Sequence, residues 1–190
     1  MSRVLWRTLV LLALLLLPAP ASAAVRLEDM GGHLSIGYGK LITTNAPAGS
    51  LSMAAGLDYP VAPELRAGIE FAYDLLGSRT VQRGSLFASV DYSAFEVAAL
   101  AHWLPGYGPV QRLSAGPALV SARGELSVTG GGAGFSDLAV HQTAGAFAMQ
   151  VTLMQSKPAP VKVGLELGGC RAFLVGEDWT LLSARLTVHY

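Results

Sequence analysis

Leu182-Ser183-Ala184-Arg185-Leu186-Thr187-Val188-His189-Tyr190 closes the chain, and its alternation decides the fold. Leu182, Ala184, Leu186, Val188 and Tyr190 fall on one side of an extended strand. Ser183, Arg185, Thr187 and His189 fall on the other. A strand with one greasy face and one face carrying an arginine fits a sheet with lipid on one side and a polar interior on the other.

The same period of two recurs upstream. In Gly32 to Leu41, Leu34, Ile36 and Tyr38 alternate with His33, Ser35, Gly37 and Gly39. Further alternating segments run over Ser50 to Tyr59, Glu64 to Asp74, Phe95 to Trp103, Val110 to Val120, Phe147 to Leu153 and Val161 to Gly168. With the terminal strand that makes eight, most of them near the ~9–11 residues a tilted strand needs to cross a bilayer.

The links between them fall into two classes. Pro60-Val61-Ala62-Pro63, Pro105 to Pro109 and Gln155 to Pro160 are short and proline-rich. Thr43 to Gly49, Leu75 to Gly84 or beyond, Ser121 to Leu138, and Leu174 to Asp178 are longer or more polar. The two classes alternate, as short periplasmic turns and longer outer loops do in outer-membrane barrels. The loops displayed outside are therefore expected at Leu75 to Ser89 and Ser121 to Leu138. Gly130 to Gly134 marks a loop tip. No Lys-Ser/Thr follows it, so it does not read as a phosphate cradle.

Composition agrees. The chain is 52% hydrophobic and 14% charged, yet after the N-terminal segment no apolar run is long enough for a membrane helix. A sheet in hydrocarbon must close on itself, because an open edge leaves backbone groups unpaired. The N-terminus reads as an export signal over residues 1–23. Arg3 and Arg7 precede the apolar run Leu9 to Leu17, prolines 18 and 20 break it, and Ala21-Ser22-Ala23 offers a cleavage site before Ala24. No cysteine lies there for lipid attachment. Residues 24–190 then form one domain. Without Arg3 and Arg7 the chain has 11 basic and 13 acidic residues, which gives no basic stripe for nucleic acid. The single cysteine, Cys170, makes no internal disulfide and reads as a buried, inert thiol on the inward face.

Tyr59, Trp103 and Tyr190 sit at strand ends on the short-turn side, and Tyr73 and Trp179 at the opposite ends. They read as two aromatic belts at the membrane interfaces.

With these features the chain resembles the small eight-stranded outer-membrane barrels of the OmpA and OmpX kind. The resemblance is carried by Leu34-Ser35-Ile36-Gly37-Tyr38-Gly39-Lys40-Leu41, the hairpin around Trp103 to Pro109, and Leu186-Thr187-Val188-His189-Tyr190. It implies a closed antiparallel up-and-down barrel in the bacterial outer membrane. It also implies that Leu186, Val188 and the terminal aromatic Tyr190 are read by the barrel-assembly machinery. No peptidoglycan-binding domain follows, so an anchoring role is not implied. The expected partners are outer-membrane lipid and, during biogenesis, that machinery; the protein is expected to be a monomer.

By alternation Glu64, Arg66, Glu70, Asp74, Glu96, Lys162, Glu166 and Arg185 point inward, where charge avoids lipid. An eight-stranded barrel is just wide enough for side chains to fill. Two uses of this polar interior follow: a plug of paired charges, which the width favours, or a narrow path for small or apolar solutes. His33 and His189 lie on strands that closure makes neighbours, with His102 at the same depth across the barrel. No ligand spacing for a metal is visible, and no cofactor is expected. Ser136, Asp137 and His141 have the types for nucleophilic catalysis. Ser136 falls on the opposite side of a strand from the other two, so no catalytic site is expected. The rival fold is a soluble lipocalin-like barrel with the apolar face inward. The absence of Gly-x-Trp in the first strand and the terminal Tyr190 disfavour it.

Overall fold

The computed structural model describes residues 27–43, 49–105, 108–129, 135–154, 161–176 and 178–190. Residues 1–23, expected to be an export segment, lie outside them. A single 3-10 turn, Leu27–Asp29, leads into eight strands. These are β1 (Gly31–Ile42), β2 (Ser50–Ala62), β3 (Leu65–Arg83), β4 (Leu86–Trp103), β5 (Val110–Thr129), β6 (Phe135–Met154), β7 (Lys162–Phe173) and β8 (Asp178–His189). Each pairs antiparallel with the next, and β1 pairs with β8, so the sheet is a closed barrel. The seam is zipped at its lower end by Gly32 N donating to Tyr190 O (3.1 Å) and Tyr190 N to Gly32 O (3.0 Å).

The two faces are sorted as lipid requires. Leu34, Ile36, Leu57, Ile69, Leu119, Met149 and Leu186 are exposed on the outside, while Ser35, Ser52, Ser114, Thr152 and Thr187 are buried inside. Leu186 is 63% exposed and the adjacent Thr187 not at all. A lipocalin-like barrel has the opposite polarity.

The strands are unequal. β1, β2, β7 and β8 have 12 or 13 residues, whereas β3 to β6 have 18 to 20. β2 stays beside β3 only as far as Ser52↔Asp74, and β6 beside β7 only as far as Ala146↔Ala172. Beyond that level β3, β4, β5 and β6 continue as a four-stranded wall, rising roughly 25 Å at the usual strand rise. The expected loops Leu75 to Ser89 and Ser121 to Leu138 are therefore corrected. They are mostly strand, and β3 turns into β4 in two residues, Gly84-Ser85, with Gly84 at φ +62°.

The wall reverses the polarity of the barrel. In β4, Phe95 and Val97 face out from the barrel, but above them Ala88, Val90 and Tyr92 carry the apolar character on the inward side, with Ser89, Asp91 and Ser93 outward. In β5 Leu119 faces out; above it Ser121, Arg123 and Glu125 take that side and Ala122 and Leu126 the other. The β4–β5 ladder runs unbroken through this change, so the strand does not slip; the environment changes. Outside the bilayer the convex face meets water.

Candidate functional site in the barrel lumen

The inward positions of all eight strands converge on the lumen, whose side chains are organised in layers. At the short-turn end Asp58 of β2 is the hub. Arg66 Nε of β3 hydrogen-bonds its Oδ1, and Arg112 Nη1 of β5 donates to its Oδ2 at 3.0 Å. Arg112 Nε also donates to His102 Nδ1 (3.0 Å), which lies 2.8 Å from Ser114 Oγ. The rings of His33 and His189 stack with centroids 5.2 Å apart, on residues paired directly across the β1–β8 seam.

The middle layer centres on Glu70 of β3. His33 Nε2 donates to Glu70 Oε2 (3.0 Å). Gln150 Nε2 (2.5 Å) and Arg185 Nη2 (3.3 Å) donate to Oε1. The same Arg185 nitrogen lies 2.9 Å from Glu166 Oε1 of β7. Gly56 makes room for this arrangement: a Cβ there would stand 2.3 Å from His33 Cε1. Removing one partner from a buried pair of this kind typically costs about 3–5 kcal/mol, because the other charge is stranded.

Above Glu70 lie Asp74, Glu96 and Cys170, around a cavity of about 20 Å³ also lined by Gln150, Ser183 and Arg185. That is space for about one water molecule. Over it sits an apolar layer of Leu41, Leu76, Val120, Ala172 and Leu181. Tyr92 and Trp179 pack on this layer with their rings edge-on at 6.1 Å.

Several expected site residues are placed here and others are not. Arg66, Glu70, Asp74, Glu96, Glu166 and Arg185 point into the lumen. Glu64 does not: it is exposed in the turn before β3, where its carbonyl accepts from Leu104 N (2.8 Å). The chain reverses before Glu64 can enter the barrel. Lys162 is also exposed, at the first position of β7, where its long side chain reaches solvent. Tyr73, Trp103 and Tyr190 are exposed on the outside, and Tyr59 is half-buried on that side. Trp179 is corrected. It shares the inward face with Leu181 and caps the lumen instead of standing in a belt.

The lumen also uses residues not singled out from the sequence: Asp58, Arg112 and Gln150. The alternation that puts Gly56 and Ser114 inside puts Asp58 and Arg112 there as well. His141 is exposed on the polar face of the wall, and the side chains of Ser136 and Asp137 lie outside the described residues.

No protein-family model matches the sequence, and no curated protein does. Solved structures match the fold. Ail, the attachment invasion locus protein of Yersinia pestis, superposes at TM-score 0.56 with 12% identity, over 85% of this chain and 99% of that one. Neisserial surface protein A gives 0.55 with 13% identity over 85% and 96%. A major outer membrane protein from Thermus thermophilus gives 0.50 with 10% identity over 85% and 98%. At such identities the likeness speaks for the fold alone, and the fold is that of the small eight-stranded outer-membrane β-barrels.

Proposed function

We propose that the chain is an exported outer-membrane barrel with a closed lumen, whose work is structural and done at its outer surface. The observation that carries this reading is the contrast between the two ends of the lumen axis. Inside, ion pairs centred on Asp58 and Glu70 and a packed apolar layer above them leave a cavity of about 20 Å³ among the described residues. Outside, four strands continue well past the ring into a wall that contributes nothing to closing the barrel. In this reading residues 1–23 direct export, and Leu186, Val188 and Tyr190 present the assembly machinery with its signal. The wall of β3 to β6 is the part offered to the surroundings, and no catalytic residue is assigned.

Two measurements test it. The purified barrel in planar lipid bilayers is expected to be electrically silent; steady unitary currents would overturn the closed lumen and favour the narrow-pore reading. A short tag inserted between Gly84 and Ser85, at the tip of the β3–β4 hairpin, is expected to be labelled on intact cells. Labelling only after the cells are broken would overturn the surface role.

A further inference from the structure

The charges inside the barrel do not balance. Asp58, Glu70, Asp74, Glu96 and Glu166 are buried carboxylates. Facing them among the described residues are the guanidinium groups of Arg66, Arg112 and Arg185. Five against three leaves an excess of two negative charges in a space with little room for water. A dry interior does not tolerate such an excess. Two protons or one divalent cation would remove it.

The donor atoms favour a cation. His33, Glu70 and Glu166 each bring one donor atom into a group whose members lie within 4.8 Å of one another. All three side chains are at least 98% buried. Two of them also carry a buried atom with no hydrogen-bond partner among the described residues, His33 Nδ1 and Glu166 Oε1. Arg185 approaches Glu166 Oε1 to 2.9 Å but makes no hydrogen bond to it. Thr152 Oγ1, on the residue paired with Glu166 across the β6–β7 ladder, is likewise buried and unpartnered. Unused lone pairs on an imidazole nitrogen and a carboxylate oxygen, beside the second carboxylate of Glu70, are what a metal ion takes up.

We infer that His33, Glu70 and Glu166 form a binding site for one divalent cation of the zinc class inside the barrel. One imidazole nitrogen and two carboxylates suit zinc, which accepts nitrogen and oxygen ligands in a small, irregular shell. Calcium would want six or more oxygens, more than this group supplies. Gln150 and Arg185 hold Glu70 from its other oxygen and orient it toward the ion. The ion locks β1, β3 and β7 together through the lumen, so its role is structural.

The test is to refold the full mature barrel in detergent with zinc or cobalt present, since the closed lumen gives a folded barrel no entry path. After desalting, elemental analysis is expected to find one metal per chain. The cobalt form is expected to show the visible d–d absorption of an ion in a low-symmetry protein site. Glu166→Gln, nearly the same shape, should weaken retention at least about tenfold, and His33→Asn should do the same. His141→Ala, which removes the exposed histidine of the wall, should leave it unchanged. A wild-type barrel that folds, by its heat-modifiable gel migration, yet carries no metal would overturn the site and leave two bound protons as the neutralising charge. So would metal lost in His141→Ala and kept in Glu166→Gln. If a variant does not fold, the wild-type stoichiometry and cobalt spectrum still decide. A silent, surface-exposed barrel without metal would overturn this site and leave the proposed function standing.

Discussion

Arg112 reaches across the short-turn end of the lumen to Asp58, donating from Nη1 to Oδ2 at 3.0 Å, although 54 residues separate them. Asp58 is also the partner of Arg66. One carboxylate therefore holds two guanidinium groups, and its neutralisation strands both. Asp58→Asn is expected to destabilise the refolded barrel by about 3–5 kcal/mol. Adding Arg112→Gln should recover part of the loss, because one of the stranded charges goes too. Urea titration in micelles, followed by tryptophan fluorescence, measures both. If Asp58→Asn unfolds at the wild-type midpoint, the hub has no energetic weight.

The level at which the barrel leaves the bilayer can be tested with two exposed residues on the outer side of the same strand. Ile69 lies in the closed ring, and Thr80, paired with the outward Ser89, lies in the wall above it. Ile69→Arg puts a charge into hydrocarbon and is expected to cost about 2–4 kcal/mol. Thr80→Arg puts it into water and is expected to cost within ~0.5 kcal/mol. Equal losses in lipid vesicles would mean that the boundary has been drawn at the wrong height.

Gly56 is small because His33 lies over it. In Gly56→Ala the new Cβ would meet His33 Cε1 at 2.3 Å, and the ring must move off Glu70. Overpacking of this kind costs about 1–3 kcal/mol. The double variant Gly56→Ala with His33→Ala should be more stable than the sum of the two single losses predicts. Additive losses in thermal unfolding would show that ring and glycine do not communicate.

The closed ring was readable because lipid and lumen impose a strict alternation. Each of the eight segments, from Leu34-Ser35-Ile36 to Leu186-Thr187-Val188, carries it. The wall was not readable, and the reason is visible in β4. Its apolar set runs on Phe95 and Val97 below, then moves to Tyr92, Val90 and Ala88 above. A search for one continuous alternation ends at that switch and assigns the remainder to a loop. The lumen residues on clear strands, Glu70, Glu96 and Arg185, follow from parity alone. Parity also covers Asp58 and Arg112, but a residue type on the right face does not reveal its partner. The meeting of His33 with Glu70 and Glu166 depends on the order of strands round the ring and on their stagger, and no local pattern encodes that. Trp179 failed differently. Its place at a strand end suggested an interface, while its parity with Leu181 put it inside.

Tyr190 separates assembly in the cell from stability of the product. Its backbone is bonded to Gly32 in both directions, and its ring lies against the outside of Gly32, where a Cβ would come within 2.6 Å of it. Tyr190→Ala leaves the backbone bonds in place. The ring is largely exposed, so its removal gives up little buried area, and refolding in detergent should yield a barrel weakened by at most about 1 kcal/mol. If the aromatic terminus is also the signal read by the assembly machinery, the same variant should accumulate poorly in the outer membrane of growing cells. Tyr190→Phe, which keeps the ring, should restore accumulation. Quantifying the folded, heat-modifiable band in membranes against the yield of refolding in detergent distinguishes the two roles. Parallel losses in both would make Tyr190 a packing residue only, with the export defect a consequence of instability.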